Sequence, residues 1–406
     1  MSTKYPGGIV KSSPVVPAGP YQNSSASGVW TMEQAGYWIK QGNWPTAGNL
    51  SPYGTLWSWG YNFQGQLGLG TSGVGTYKSS PNQVGTLTTW SNIAGGYYHT
   101  IATKTDGTLW SWGAGGNGQL GLGNTTYYSS PKQVGALTTW SKIACGSNYT
   151  IATKTDGTLW SWGRSATWGQ LGLGNATSYS SPKQVGTLTT WSKIACGLYH
   201  TIATKTDGTL WSWGQNSHGQ LGLNSVLAAS SPNQVGALAT WLNVACGQYF
   251  SLATKTDGTL WSWGYNFQGQ LGLGNQAELS SPVQVGALTT WSKIACEDSS
   301  TLATKTDGTL WSWGYNANGQ LGLGNTTYRS SPVQVGALTT WSNIAGGSYH
   351  TIATKTDGTL WAWGRNQYGQ LGLGNTTNRS SPVQVGALTT WSKIACGLDH
   401  TIAISS

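Results

Sequence analysis

The pentad Gly-Gln-Leu-Gly-Leu begins at Gly65, Gly118, Gly169, Gly219, Gly269, Gly319 and Gly369. Seven copies at a spacing near fifty residues constrain the fold more than any other feature, because a fixed period of that length marks a repeat architecture. Within each unit the order of motifs is constant. W-S/L-K/N-I/V-A runs into H-T-I-A-T-K, then T-D-G-T, L-W-S-W-G, G-Q-L-G-L-G and S-S-P-x-Q-V-G. The T-I-A-T-K and T-L-W-S-W stretches alternate, are β-rich and are joined by Asp-Gly, which predicts a hairpin with a two-residue type I′ turn. The W-x-K/N-I/V-A and P-x-Q-V runs add two more short strands. Four strands per unit with no helix between them predict a β-propeller blade.

The chain ends predict how the ring closes. Thr103–Thr108 and its later equivalents give six complete T-K-T-D-G-T turns, and the seventh hairpin is split. Residues 54–59 (GTLWSW) open the array and residues 400–404 (HTIAI) close it, so pairing them makes one composite blade, where a linear solenoid would need caps. The expected fold is therefore all-β: a seven-bladed propeller over residues 51–406, its ring closed by the N- and C-terminal strands. Each unit also carries three Trp, such as Trp57, Trp59 and Trp90, and these 21 are expected to pack the blades. Burying ~200 Å² of each at ~25 cal/mol/Å² bounds the gain near ~5 kcal/mol per Trp.

Composition narrows function. Charged residues make up only 8%, with Gly 60 and Trp 25, which suits strands and turns. The net charge of +9 raises nucleic acid, but the cations are spread through the repeats, as at Lys104, Lys154, Lys205, Lys255, Lys305 and Lys355, with no like-charged block. Nucleic acid is not an expected partner. Neither a signal peptide nor an eighteen-residue apolar stretch is visible, so membrane insertion is not expected and the chain reads as made in a reducing cytoplasm. Cys145, Cys196, Cys246, Cys296 and Cys396 share one repeat position, held by Gly95 and Gly346 in the other copies. That pattern reads as a small buried residue and not as a disulfide framework.

No enzyme is read here. His99, His200, His350 and His400 recur at one position, but Tyr149, Phe250 and Ser300 replace them elsewhere, which favours packing or hydrogen bonding over metal ligation. Glu297-Asp298 is the one adjacent acidic pair and has no partner at fixed spacing. No P-loop, nucleophile elbow or zinc spacing occurs, and no cofactor is implied.

The units resemble the repeats of the regulator-of-chromosome-condensation family through G-Q-L-G-L-G, the Cys/Gly-Gly-x-x-His step and D-G-T-L-W-x-W-G. The resemblance covers residues 51–406 and implies a seven-bladed propeller. It leaves function open, since the family includes a nucleotide-exchange factor, a plant light receptor and a bacterial enzyme inhibitor.

Comparing the copies locates variation. It falls after W-G, after the I/V-A-C/G step and after G-L-G or G-L-N. If K-I-A-C runs up a blade, the first two variable loops share its upper face, and loops on a rigid scaffold are where binding residues concentrate. That face is expected to present Tyr61, Phe63, Tyr97, Tyr98, Tyr199, Tyr249, Tyr265, Phe267, Tyr315, Tyr349 and Tyr368 to a neutral glycan or a protein. The alternative is that these loops simply drift.

Residues 1–50 read as a docking arm. Pro6, Pro14, Pro17 and Pro20 predict an extended lead. Thr31 with Gln34 forms a capping box for a short helix over 32–41, ended by Gly42 and Pro45. Trp30, Tyr37, Trp38 and Trp44 make it apolar enough to dock, or to plug the propeller. S-x-x-G-V-W-T with a following G-N-W-P resembles a segment of tailed-bacteriophage structural proteins. That resemblance implies a virion protein, a tail, fibre or other appendage component, attached to other virion proteins through residues 1–50 and meeting host-surface glycan or protein through the propeller. The runner-up is an intracellular interaction propeller similar to the eukaryotic regulators.

Overall fold

The computed structural model describes residues 54–406 and two short paired strands, Thr3–Tyr5 and Gly8–Val10. The chain divides into two compact units, Met1–Pro52 and Tyr53–Ser406. In the first, Thr3–Tyr5 and Gly8–Val10 pair antiparallel within the Pro-rich lead that was expected to be extended. The expected helix over 32–41, with Trp30, Tyr37, Trp38 and Trp44, lies outside the described residues.

The second unit forms seven four-stranded antiparallel sheets. Six are continuous in sequence, blades 1 to 6, over 90–133, 140–184, 191–234, 241–284, 291–334 and 341–384. Blade 7 is composite: Trp391–Cys396 and His400–Ser405 pair onward with Thr55–Gly60 and Lys78–Gln83. Its central register runs Thr55–Ser405, Trp57–Ala403, Trp59–Thr401 and Gly60–His400, so the split hairpin is restored across the chain ends. Among the described residues the helical content is one 3-10 turn, Ala166–Trp168, in the longest of the loops after W-G.

The W-S-K-I-A-C strand is innermost in every blade, and the seven of them line the central channel. The first five residues of the second strand are buried in every blade, as in His99–Lys104, and the third strand is buried from its Leu on except at its first Trp. The core is a set of inter-blade clusters. Trp263, for example, packs beside Ile202, Leu210, Val235, Trp241 and Ala253. Both Trp of L-W-x-W stack edge-on against the Trp that opens the innermost strand, as Trp57 and Trp59 do on Trp391 at 6.0 and 6.1 Å. The second is fully buried. The first is half-buried, in blades 1 to 6 under a lysine, Lys104 Nζ lying 3.6 Å from the Trp110 ring, and in blade 7 with the Trp57 indole N–H donating to Ser405 Oγ.

The invariant Gln of the pentad works through its backbone. Gln220 O accepts the indole N–H of Trp263 at 2.9 Å and the hydroxyl of Ser251 at 2.8 Å, both on the next blade. The same pair recurs around the ring, closing with Trp59 and Thr401 on Gln370 O. Pentad glycines pack against that indole: a Cβ on Gly222 would stand 2.8 Å from Trp263 Nε1. Trp263→Phe is expected to lower stability by about 2 kcal/mol, from the lost N–H and the space left behind, as read by urea unfolding.

Two local expectations are corrected. The T-D-G turn is not type I′. Only Gly107 has positive φ, at 75°, while Lys104 O accepts from Gly107 N and Lys104 N donates to Thr108 O. This is a type I turn with a glycine bulge. The Asp106 carboxylate accepts the Thr108 N–H and hydroxyl at 2.9 and 2.6 Å, which holds Asp in the ordinary right-handed region. The cysteines are free, as expected, but only half-buried: they line the channel and pack against the inter-blade cores from that side. Burial still pushes the Cys196 thiol up to about 12.

Candidate functional site

One face of the propeller collects the loops that vary between copies, and the aromatic side chains expected there form clusters. Tyr61 lies 4.7 Å from Tyr368, 6.1 Å from Tyr98 and 6.4 Å from Phe63. Tyr315 lies 5.8 Å from Tyr349 and 4.8 Å from Tyr328. Arg365 joins the two groups, its guanidinium 5.6 Å from the Tyr349 ring and 5.9 Å from the Tyr368 ring. The result is an arc over blades 5, 6, 7 and 1. A second cluster sits on blade 4, where Tyr265 meets Phe267 at 4.9 Å and Tyr249 at 6.3 Å, with His218 of blade 3 packed against both tyrosines. Phe63 and Phe267 are 45% and 59% exposed, far more than an aromatic ring held for packing alone. Tyr199 stands apart, under Arg164 at 5.7 Å.

Tyr97 does something different from the rest. Its hydroxyl is 3.5 Å from Asp298 Oδ1 and accepts from Gln248 Nε2 at 3.3 Å, on blades 5 and 4, opposite its own blade 1. The ring therefore crosses the axis and covers this mouth of the channel. Burial raises its phenol, with the Asp298 charge adding to the effect.

Sequence reasoning missed the polar members of the face. Arg365 sits 3.7 Å from Asp399, which also accepts from Gln370 Nε2 at 2.9 Å. His218 Nδ1 is 2.9 Å from Glu278 Oε1 and its ring packs 4.9 Å from Tyr265. Their signal was present: they lie in the same variable loops, but each recurs in at most one other copy, as Arg365 does at Arg164, so no periodic comparison singles them out. Asp298 is held near 6, chiefly by burial.

Beneath this face runs a belt of inter-blade hydrogen bonds that explains the recurring histidines. His99 Nε2 meets Thr150 Oγ1 at 3.2 Å, and His200, His350 and His400 meet Ser251, Thr401 and Thr100 at 3.0, 3.0 and 3.1 Å. Each of those hydroxyls already gives its single proton to a pentad Gln carbonyl, Thr150 to Gln119 O at 2.9 Å for example. The imidazole must therefore donate from Nε2–H, which leaves Nδ1 unprotonated and without a partner among the described residues. Burial lowers all four histidines to about 3. These are neutral structural donors, consistent with the hydrogen-bonding role the sequence suggested.

Blade 5 departs from the pattern in three coupled places. Elsewhere a glycine precedes the ring because a Cβ would strike it, as on Gly397, 2.0 Å from His400 Cε1. In blade 5 that glycine is Glu297 and the histidine is Ser300. The Glu297 carboxyl takes over the ring's place, accepting from Ser300 and meeting Thr351 Oγ1 at 2.5 Å. On the next blade Gly346 leaves room, since a Cβ there would lie 2.7 Å from Glu297 Cγ. Thr351 also donates to Gln320 O at 2.9 Å, so the proton between it and Glu297 belongs to the acid. Burial raises Glu297 to about 8, and it is neutral at pH 7. Its apparent lack of a partner in sequence arose because the partner lies one blade away.

Among the described residues no group of His, Cys, Asp or Glu could hold a metal ion, and no helix is long and apolar enough to cross a membrane.

Comparisons with known proteins agree on the architecture. A model described as RCC1-like domain matches residues 46–342, and models of the regulator of chromosome condensation (RCC1) repeat match 357–404 and 341–370. The ultraviolet-B receptor UVR8 of Arabidopsis thaliana is 34% identical over 166 residues, 40% of this chain and 38% of the receptor. The structure of human WBSCR16 superposes with a TM-score of 0.78 at 23% identity, over 87% of this chain and 100% of that one. Prp20p of Saccharomyces cerevisiae, studied for its binding to Gsp1p and histones, gives 0.76 at 21% identity over 88% and 93%. At these identities the two structures show the fold alone.

Proposed function

The chain belongs to the RCC1-like family, and from that premise we propose that it is a protein-interaction propeller that regulates a partner by binding it through the aromatic face. The observation that carries this reading is the arc of Tyr61, Phe63, Tyr98, Tyr315, Tyr349 and Tyr368 around the Arg365–Asp399 pair. Half-exposed tyrosines beside the exposed Phe63, with Arg at the centre and polar groups between them, are the composition of protein-binding surfaces. The rest of the scaffold is nearly identical from blade to blade, so a rigid disc presents one diversified surface. Prp20p lends an analogy, since it is a propeller of the same fold that was examined for protein partners.

The virion-appendage expectation rested on the segment around 24–45, and the comparisons lend it no support. The intracellular interaction module is the better supported reading. Glycan binding by the same face has no specific contact in its favour.

The test is affinity capture from source-cell lysate with the full chain as bait, beside Tyr61→Ala/Phe63→Ala/Tyr368→Ala. A defined partner should be retained by the parent and lost from the triple variant, with folding unchanged by circular dichroism. Identical captures by both would count against the face. Stoichiometric recovery of the chain in purified virus particles would favour the virion reading instead.

A further inference from the structure

The other end of the channel carries a second, chemically opposite feature. The third residue of each innermost strand is Lys or Asn, and the seven residues ring a cavity of about 460 Å³ floored by the following Ile or Val. In sequence these cations look scattered. On the innermost strands Lys142, Lys193, Lys293 and Lys393 converge on one mouth. The ion pairs among the described residues are His218–Glu278 and Arg365–Asp399, so among those residues no carboxylate pairs with any of the four.

The side chains are held in place. Lys293 Nζ donates to Ser342 O at 2.7 Å and Asn343 Oδ1 at 2.9 Å, Lys393 donates to Asn92 Oδ1 at 2.9 Å, and Lys142 donates to Ser192 O. All these acceptors belong to the next blade and none carries charge. An ammonium has three donors, so each lysine keeps at least one for a ligand. The Lys193 ammonium has no hydrogen-bond partner among the described residues, and the residue is exposed. Confining like charges in a low-dielectric mouth raises the local potential and focuses it along the axis.

We propose that this mouth is a binding site for a compact, multiply charged phosphate compound. The volume falls in the range of small-ligand sites. The donors converge around one axis, as a cluster of phosphate oxygens requires. An extended acidic chain fits less well: Tyr97 and the Asp298 carboxyl group occupy the far end of the axis, so nothing polymeric threads through. The site is separate from the aromatic face and does not depend on what binds there.

The structure supplies its own control. Asn92, Asn243 and Asn343 donate to Ser141 O, Ser292 O and Ser392 O, the equivalents of the carbonyls that Lys142 and Lys293 reach. Lys142→Asn/Lys293→Asn therefore keeps the inter-blade contact while removing two charges. Lys132→Asn/Lys183→Asn removes the same charge from the outermost strands of blades 1 and 2.

Isothermal titration of the full chain at low salt would use inorganic tripolyphosphate, inositol hexakisphosphate and hexaglutamate as probes. Binding of one molecule per chain is expected for at least one phosphate probe, which also tells an inorganic polyphosphate from a phosphorylated polyol. Affinity should fall at least about tenfold in the channel variant, stay within about twofold in the outer variant, and weaken as salt shortens the Debye length. No binding by either phosphate probe would overturn the proposal. So would an equal loss in both variants, or hexaglutamate binding as tightly, which would reassign the mouth to an acidic peptide.

Discussion

Lowering the pH from 7 to 5 is expected to destabilise the propeller by about 2 kcal/mol per pH unit, and to unfold it cooperatively before pH 4. The cause is the neutral histidine belt. His99, His200, His350 and His400 are lowered to about 3 in the fold from an ordinary value of 6.5. Below 6.5 the unfolded chain takes up protons that the folded ring refuses, so stability is present above 6.5 and lost as pH falls towards 3. Each such group contributes about 1.4 kcal/mol per pH unit in that window, about 5 for four. Opposing them, Glu297 and Asp298 are raised to about 8 and about 6 from 4.5 and 3.8, and Asp399 is raised as well. Their stabilisation is fully present below the unfolded values and lost as pH rises through the folded ones, so they regain it on acidification. The histidines outnumber them, which leaves the net slope stated. A domain worth ~5–15 kcal/mol cannot absorb that for long. Urea midpoints at a series of pH values measure the slope. His350→Phe, copying Phe250 of blade 4, should flatten it by about one proton, and a stability flat from pH 7 to 5 would refute the belt.

Gly397→Glu alone is expected to cost 3 kcal/mol or more, on the order of the largest overpacking effects, and Gly397→Glu with His400→Ser to recover at least about half of that. The single change sets a Cβ 2.0 Å from His400 Cε1 and 2.4 Å from Gly96 O, and adds an acid with nowhere to go. The double change rebuilds the blade 5 arrangement at the seam of the ring. Gly95 stands where Gly346 does, and Thr100 where Thr351 does, with Gln66 O taking the Thr100 proton at 2.9 Å. The coupling energy of the cycle reads the interaction directly. Additive costs would mean that Glu297 and Ser300 are unrelated substitutions. The double variant should also acquire a second acid that ionises near 8, steepening the loss of stability above neutrality.

What the sequence made legible follows from where its information is local. The strands, their number and the composite blade were readable because each rests on a repeated motif or on two complementary halves, GTLWSW and HTIAI. The Trp packing was readable from period two within L-W-x-W. The turn at Asp106 was not, because Asp-Gly serves two hairpin geometries and the choice is made by the Thr108 N–H and hydroxyl on the Asp106 carboxylate. The Glu297 exchange and the lysine ring were missed for a shared reason. Both depend on which strand is innermost and which residue of the next blade it faces, a relation some fifty residues away that no motif spells out. The aromatic face was readable as a list of residues, but Tyr97 bridging the axis was not.

The central claim, that the aromatic face is where a protein partner is bound, is tested most directly by hydrogen–deuterium exchange of the chain with and without its captured partner. The account predicts slowed exchange in peptides spanning 61–64, 97–98, 315–318 and 365–368, with the T-D-G turns of the opposite face unchanged. Protection confined to those turns, or to the outermost strands, would contradict it.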